Sequence, residues 1–217
     1  MNIELARFNM IEQQIRPWDV LNLGVLELLG IVKREDFAPT AYQSMAFVDT
    51  EVPLPGGQCM LAPKVEARIL QELDVHKHER VLEIGAGSGF MAALLAHKAQ
   101  HVTTFEINPE LARFAANNLK RAGVMNVDVR TGDGARGLAS DAPFDVIVLS
   151  GSVAEVPAAL LAQLKVGGRL VAIVGQEPVM RAMLVRRSID QGFEHNVLFD
   201  TVAQRLTGFS EPTRFQF

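Results

Sequence analysis

The chain has 217 residues, of which 48% are hydrophobic and 21% charged, and its formal net charge is −4. This composition is typical of a globular protein with one large domain, and the scattered basic residues argue against a nucleic-acid partner. No apolar run approaches the roughly 18 residues that a membrane span needs, the start lacks a signal-peptide pattern, and a single cysteine fits a reducing compartment, so we expect a cytoplasmic protein that does not enter a membrane.

The first third of the chain is predicted to be helical and rich in loops. Apolar residues recur at helical spacing, prolines mark where helices begin or end, and Asp19 is placed to cap a helix. The expected elements are helices at residues 3–16, 19–30 and 63–73, a helical turn at 33–37 and a short strand within 46–52. We therefore expect residues 1–75 to form a helical and loop segment packed on a core of residues 76–217.

From residue 80 onward, short β-branched runs alternate with helical patterns. The predicted strands lie at residues 80–84, 101–105, 127–130, 144–149 and 169–174, and the intervening helices at 91–98, 109–121 and 157–164. A further helix is expected at 179–190, followed by a terminal pair of strands at 193–199 and 202–209. Because strands that alternate with helices form βαβ units, the sequence predicts an α/β fold with a Rossmann-like, mostly parallel sheet and helices on both faces.

The stretch that joins the first of these strands to its helix carries the clearest functional signal. Glycines at 85, 87 and 89 remove side chains where the backbone turns sharply, and the following helix directs free N–H groups at the same point. Their spacing is G-x-G-x-G and not the dinucleotide pattern G-x-G-x-x-G. Glu83, just before the turn, suits a cationic amino-acid group better than a pyrophosphate. A turn that binds nothing is the alternative.

Two further acids follow the next strands at the same edge of the predicted sheet. Glu106 comes about twenty residues after the first glycine, where a carboxylate accepts hydrogen bonds from ribose hydroxyls; the alternative is a solvated acid. Asp133, beside Gly134, could bind an adenine amino group, and the alternative is an Asx turn. The five histidines show no metal-ligand spacing, so no metal site is predicted.

The order of motifs resembles that of the protein-L-isoaspartate (D-aspartate) O-methyltransferases over nearly the whole chain. Residues 83–89 look like motif I of the class I S-adenosylmethionine-dependent methyltransferases. Four other segments resemble the family patterns V-P-R-E-x-F, L-P-I-G-x-G-Q, A-P-F-D-x-I-I-V and I-P-x-A-L-x-x-Q-L-x-x-G-G-x-L-V; they lie at residues 32–37, 53–58, 142–148 and 156–171. The last two point to this family more than to methyltransferases in general.

The resemblance implies methyl transfer from S-adenosyl-L-methionine, leaving S-adenosyl-L-homocysteine, to the carboxylate of isoaspartyl residues in damaged proteins or peptides. The ester then cyclises to a succinimide and hydrolyses partly to normal aspartate. The implied cofactor-binding residues are Glu83, Gly85, Ala86, Gly87, Gly89, Glu106, Ile107, Asp133, Gly134 and Ser150. The implied substrate-binding residues are Gln58, Cys59, Met60 and Arg205. No general base is needed, because a carboxylate is already ionised at neutral pH.

The acceptor side departs from the family pattern. Where the family reads T-I-S, with the serine as its active-site residue, this chain has Cys59-Met60-Leu61. Leu61 in the serine's place can neither donate nor accept a hydrogen bond. Three hypotheses therefore stay open: an isoaspartyl carboxyl methyltransferase, a family paralogue that methylates another acceptor, and a nucleotide-binding protein without isoaspartyl activity.

Overall fold

The computed structural model describes residues 2–190 and 192–211. The α-helices in this part of the chain are α1 (Ile3–Met10), α2 (Leu23–Ile31), α3 (Pro63–Leu73), α4 (Phe90–Lys98), α5 (Pro109–Arg121) and α6 (Ala158–Leu161). The strands are β1 (Val52–Pro53), β2 (Cys59–Met60), β3 (Arg80–Ile84), β4 (His101–Glu106), β5 (Val127–Thr131), β6 (Phe144–Val153), β7 (Leu164–Gln176), β8 (Val179–Arg187) and β9 (Phe193–Asp200). No helix in the described ranges is long and apolar enough to cross a membrane.

Seven of the strands form one sheet in the order β5-β4-β3-β6-β7-β8-β9, while β1 and β2 form a separate antiparallel pair. Strands β3 to β7 pair in parallel, and β8 and β9 are antiparallel to their neighbours. The chain proceeds outward from β3 to β5 on one side and then returns to β6 on the other. The carboxyl ends of β3 and β6 therefore flank the switch point at which open α/β sheets bind ligands. The predicted Rossmann-like, mostly parallel sheet is confirmed.

Helices cover both faces of this sheet, as predicted. Along β6, Val146 and Val148 belong to one apolar cluster, and Ile147 and Leu149 belong to the other. Strands buried on both faces have such continuous apolar sequences. The larger cluster takes residues from α1 to α5, and the smaller one includes residues of α6. The N-terminal helices thus contribute to the larger of the two apolar clusters, on one face of the sheet.

A buried ion pair ties β7 to the end of α3. The Arg169 Nη1 and Nη2 atoms lie 2.7 and 2.9 Å from the two carboxylate oxygens of Glu79. The same guanidinium donates to the backbone carbonyls of Leu73 and, at 2.8 Å, Asp74. These contacts fix the end of α3 against the sheet, and removing either partner of the ion pair would leave the other charge buried.

Two N-terminal predictions were wrong. The side chain that caps α2 is Asn22, which accepts the N–H of Val25 at 3.2 Å; Asp19 has a left-handed backbone (φ 61°) and does not cap the helix. Of the strand expected within 46–52, the first two residues end the 3₁₀ helix Thr40–Phe47, residues 48–51 are bends and irregular backbone, and only the last residue, Val52, is in a strand. In both places local turns override short sequence patterns.

The largest correction concerns residues 179–190, where a helix was expected. They form strand β8, in which Met180, Ala182 and Leu184 are buried while Arg181 is exposed. Methionine, alanine, leucine and arginine all favour helices in isolation, and pairing with the long strand β7 overrides that preference.

The ends of the predicted C-terminal elements also change. The helix expected at 157–164 shortens to α6, and β7 already begins at Leu164. Strand β9 pairs with β8 and not with the 202–209 segment. That segment forms only an isolated bridge, in which Arg205 pairs with Ser152.

Candidate functional site

The turn between β3 and α4 is built from glycines in the left-handed region. Gly85, Gly87 and Gly89 have φ angles of 94°, 52° and 83°, which residues with a Cβ rarely adopt. The N–H groups of Gly85 and Ala86 both donate to the Phe105 carbonyl, at 2.8 and 3.0 Å. The turn is therefore fastened to the end of β4.

Glu106, the last residue of β4, holds the same turn through its side chain. Its Oε2 accepts the N–H of Gly87 at 2.9 Å, and its Oε1 accepts the N–H of Asn108 at 3.0 Å. Each carboxylate oxygen has a further lone pair. Glu106 can therefore accept hydrogen bonds from hydroxyl groups of a ligand while it shapes the turn.

A cavity of about 250 Å³ lies beyond the carboxyl ends of β3 to β6. It is lined by Gln58, Cys59, Ile84, Gly85, Gly87, Phe105, Glu106, Ile107, Asn108, Leu111, Gly132, Gly134, Ser150, Leu206 and Thr207. Glu106 is the one charged residue among these. The walls are otherwise apolar side chains, neutral polar groups and bare backbone, which suits a neutral part of a ligand that carries a few hydroxyl groups.

Glu83 is fully buried beside this cavity. Its two carboxylate oxygens accept hydrogen bonds from the hydroxyls of Ser150 and Thr104, each at 2.7 Å. Burial raises the pKa of Glu83 to about 7; the two hydroxyls partly oppose this rise, and the carboxylates of Glu66 and Glu106 add to it. A cation placed next to such a carboxyl favours its ionised form, so the site is suited to an ammonium group.

A second, smaller cavity of about 20 Å³ adjoins the first and has room for about one water molecule. Met60, Leu61, Glu66, Glu83 and Ala86 are among its lining residues. The residues that line both cavities are Cys59, Gly85, Gly87 and Ser150. The wall formed by Met60 and Leu61 therefore lies directly beside the glycine turn.

Arg34 anchors this wall from the N-terminal segment. It is 1% exposed, its Nη2 donates to the Leu61 carbonyl at 2.6 Å, and its Nη1 pairs with the buried Glu66. Burial raises the pKa of Glu66 to about 7, and Arg34 opposes that rise. The guanidinium also lies 5.2 Å from the ring centre of Phe90, where α4 begins. One cation thus fixes the spacing between the wall and the helix that follows the glycine turn.

An open groove of about 610 Å³ lies on the other side of Gln58 and Cys59. It is lined by Thr50, Glu51, Pro53, Leu54, Gly57, Gln58, Cys59, Glu177, Val202, Ala203 and Gln204. The amide of Gln204 donates to the Gly57 carbonyl at 2.7 Å and so joins two of its walls. Because Gln58 and Cys59 line both spaces, the groove and the larger cavity meet at these residues.

Cys59 stands at this junction but is a poor nucleophile. Burial raises the pKa of its thiol to about 12, and the nearby carboxylates of Glu51 and Glu66 add to the shift. A thiol with so high a pKa stays protonated at neutral pH. Cys59 therefore contributes to the junction as a lining side chain and not as a nucleophile.

The structure brings most of the predicted site residues to the two adjoining cavities. Eight line the larger one: Gln58, Cys59, Gly85, Gly87, Glu106, Ile107, Gly134 and Ser150. Four more line the smaller one: Met60, Leu61, Glu83 and Ala86. Gly89 lines neither and precedes α4, where a Cβ would lie 3.2 Å from the Ala115 carbonyl.

Asp133 and Arg205 also lie outside both linings. The Oδ1 of Asp133 accepts the N–H of Ala135 at 2.9 Å, the Asx turn considered as the alternative for this residue. Arg205 donates to the Gly175 carbonyl at 2.9 Å and pairs with Glu211 at the same distance. Gly132 and Gly134, on either side of Asp133, do line the larger cavity, and the ligand roles of Asp133 and Arg205 stay predictions.

Several residues of the site were not identified from the sequence. Thr104 was missed because its contact with Glu83 depends on the register of β3 against β4, in which the two residues are partners. Asn108 follows Ile107 and caps α5, a role that Asn-Pro at a helix start indicates. Leu206 lies against the turn, since a Cβ on Gly85 would be 2.8 Å from it, and nothing in a predicted terminal strand indicated that position.

Metal chemistry receives no support from the side chains. Within residues 2–190 and 192–211, no group of three or more histidine, cysteine, aspartate or glutamate residues could hold a metal ion.

Comparisons with known proteins agree on one family. The family model for protein-L-isoaspartate (D-aspartate) O-methyltransferase matches residues 7–207. A protein-L-isoaspartate O-methyltransferase from Koribacter versatilis is 39% identical over 183 residues, covering 84% of this chain and 82% of the relative. Protein-L-isoaspartate O-methyltransferase 1 from Syntrophobacter fumaroxidans is 37% identical over 198 residues, covering 91% and 92%.

Solved structures share the fold. One named protein-L-isoaspartate O-methyltransferase superposes with a TM-score of 0.79 at 25% identity, covering 93% of this chain and 66% of that chain. A Plasmodium falciparum structure assigned to the same family, in complex with S-adenosyl-L-homocysteine, superposes with a TM-score of 0.78 at 19% identity, covering 95% and 99%. The likeness in both cases extends over nearly the whole chain.

Replacing Glu83 with glutamine should remove part of the pH dependence of stability. With its pKa raised to about 7 from 4.5, the folded state holds a proton that the unfolded state has released, so the free energy of unfolding falls as pH rises through this range. Urea unfolding of the ligand-free Glu83→Gln variant at several pH values should show a shallower slope, with the contribution of Glu66 remaining. Glu155→Gln, an exposed control, should keep the full slope. An identical slope in Glu83→Gln and the wild type would contradict the assignment.

Proposed function

The chain belongs to the protein-L-isoaspartate (D-aspartate) O-methyltransferase family, and from that premise we propose how its cavities divide the reaction. The protein is an S-adenosylmethionine-dependent methyltransferase that acts on the carboxylate of isoaspartyl residues in damaged proteins. The observation that carries the proposal is that an enclosed cavity at the glycine turn meets an open groove at Gln58 and Cys59. A donor and a peptide can therefore approach the same point from opposite sides.

The enclosed cavity fits S-adenosylmethionine. Glu83 is a buried carboxyl whose hydrogen-bond partners are two neutral hydroxyls, so it is suited to the ammonium of the methionine end. Glu106 is suited to the ribose hydroxyls. Ile107 and Leu111 offer apolar surface for the adenine ring, and Gly134 leaves space where a Cβ would lie 2.8 Å from Ile84. When bound, the cofactor supplies an already activated methyl group on its sulfonium.

The work left to the protein on the acceptor side is positioning and exclusion of water. An isoaspartyl carboxylate is ionised at neutral pH, so no proton has to be removed from it. We assign Gln58, Cys59 and Met60 to the wall against which the carboxylate is placed, with the Gln58 amide as the hydrogen-bond donor at the junction. Leu61 adds apolar surface and no hydrogen bond.

We further propose that the two parts of the chain divide these roles. Residues 1–75 supply the acceptor wall, the groove residues between Thr50 and Cys59 and the Arg34 anchor, whereas residues 76–217 supply most of the donor site and the opposite side of the groove. The partners are proteins or peptides that carry isoaspartyl residues. A cytoplasmic location, favoured by the single cysteine, belongs to the same proposal.

The proposal predicts methyl-ester formation on an isoaspartyl peptide. The wild-type protein, with S-adenosylmethionine labelled in its methyl group, should form a base-labile ester on the isoaspartyl peptide and none on the matched aspartyl peptide. Calorimetry in the same preparation should detect S-adenosylhomocysteine binding. Binding of S-adenosylhomocysteine without ester formation would contradict the isoaspartyl function and favour another acceptor or binding alone.

Leu61→Ser should raise this activity. A serine hydroxyl hydrogen-bonded to a charged carboxylate is worth roughly 1.5–3 kcal/mol, which is about a ten- to hundredfold gain in kcat/KM. The matched control is Leu61→Ala, which removes the same apolar bulk without adding a hydroxyl. Both variants lose buried apolar contacts, so thermal melts should confirm that each is folded. Equal activities in the serine and alanine variants would remove position 61 from the acceptor site.

Glu106→Ala should weaken S-adenosylhomocysteine binding. Loss of hydrogen bonds between ribose hydroxyls and a carboxylate is worth roughly 1.5–3 kcal/mol, or about a ten- to hundredfold rise in Kd by calorimetry. Glu110→Ala, an exposed acid in the first turn of α5, should bind like the wild type. Unchanged affinity in Glu106→Ala would exclude the ribose role.

A further inference from the structure

The charged side chains that line the open groove all have the same sign. Its lining residues include the carboxylates of Glu51 and Glu177 and no lysine or arginine. Glu51 lies just before β1, and Glu177 lies in the turn between β7 and β8. Both are exposed, so two separate elements present negative charge to anything that enters the groove.

Cationic side chains on the neighbouring elements are paired elsewhere. The Lys64 Nζ lies 2.6 Å from the carboxylate of Asp49. Arg205 follows the groove residue Gln204 in the chain. Its guanidinium pairs with Glu211 and donates to a backbone carbonyl. Neither cation forms an ion pair with Glu51 or Glu177, although Arg205 lines a smaller neighbouring cavity together with Glu177.

The acceptor expected in this groove is itself an anion. Glu51 lines the groove together with Cys59, which also lines the donor cavity, so one of the groove carboxylates lies near the junction between the two spaces. A peptide whose isoaspartyl residue has acidic neighbours would add repulsion along the groove. Basic neighbours would instead be attracted by the carboxylate of Glu51 or by that of Glu177.

We propose that the groove selects isoaspartyl sites flanked by lysine or arginine, and that Glu51 and Glu177 determine this preference. The inference rests on the proposed function and narrows its substrate class to cationic segments of damaged proteins. Pairs between exposed charges are individually weak and are screened by salt. The preference is therefore a graded one that acts on binding of the peptide.

The test uses three isoaspartyl peptides of equal length whose flanking residues are lysine, alanine or glutamate. With the wild-type protein at low ionic strength, kcat/KM should fall in that order. The difference between the lysine and glutamate peptides should be roughly tenfold. It should lie mainly in KM, because contacts away from the reacting carboxylate act equally on the ground state and the transition state, and added salt should reduce it.

Charge-removing variants assign the effect to its residues. Glu51→Gln and Glu177→Gln should each reduce the ratio of kcat/KM between the lysine and glutamate peptides, and the double variant should bring it close to one. The matched control is Glu155→Gln, which removes one exposed negative charge outside the groove and should keep the wild-type ratio. All three positions are exposed, so little change in stability is expected.

The possible outcomes separate this inference from the proposed function. Equal kcat/KM for all three peptides, or a preference for the glutamate peptide, would overturn the inference and leave isoaspartyl methylation in place. A lysine preference that survives in the double variant, or disappears equally in Glu155→Gln, would overturn the role of the two residues. Methylation of none of the peptides, by protein that still binds S-adenosylhomocysteine, would overturn the proposed function and the inference together.

Discussion

The relation between the two sides of the site depends on one buried guanidinium. Arg34 reaches from the N-terminal segment to the Leu61 carbonyl, the Glu66 carboxylate and the Phe90 ring. Breaking a buried ion pair by removing one partner typically costs about 3–5 kcal/mol, so the contact is hard to displace. The hydrogen bond from Arg34 is made to the backbone carbonyl of residue 61. A substitution of that side chain therefore does not remove this anchor of the wall. The side chain of residue 61 can therefore change the chemistry of the wall while this anchor stays in place.

The donor side depends on a different constraint, the burial of a carboxyl that has no cation of its own. Glu83 is held by two hydroxyls from the neighbouring strands β4 and β6, and burial raises its pKa to about 7. A proton can satisfy this group when the cavity is empty, and an ammonium can replace the proton when a ligand binds. The buried cations Arg34 and Arg169 are paired with other acids, Glu66 and Glu79. Glu83 is thus left without a cation and is available to the ammonium group of a ligand.

The sequence predicted this donor side because its signals are local. Buried parallel strands have continuous apolar runs, and the glycines and Pro109 mark where the neighbouring elements begin. Contacts that depend on pairing between distant segments were not predictable in this way. The register that brings Thr104 to Glu83, the strand character of residues 179–187, and the placement of Leu206 against Gly85 all follow from which strands become neighbours. Arg205 shows the same limit, since its contacts with Gly175 and Glu211 depend on where the C-terminal segment lies.

The acceptor side combines a missing hydrogen bond with an added electrostatic field, and the two act on different steps. A hydroxyl at position 61 would contact the reacting carboxylate itself, where an interaction can stabilise the transition state more than the ground state. The groove carboxylates, Glu51 and Glu177, face the flanks of a peptide, where charge pairs act equally on both states and appear in KM. Flanking charges therefore cannot replace the serine in the chemical step, but they can decide which peptides reach it. In the proposed arrangement, position 61 therefore affects how fast a bound carboxylate reacts, and the flanking charges determine which damaged sites are bound.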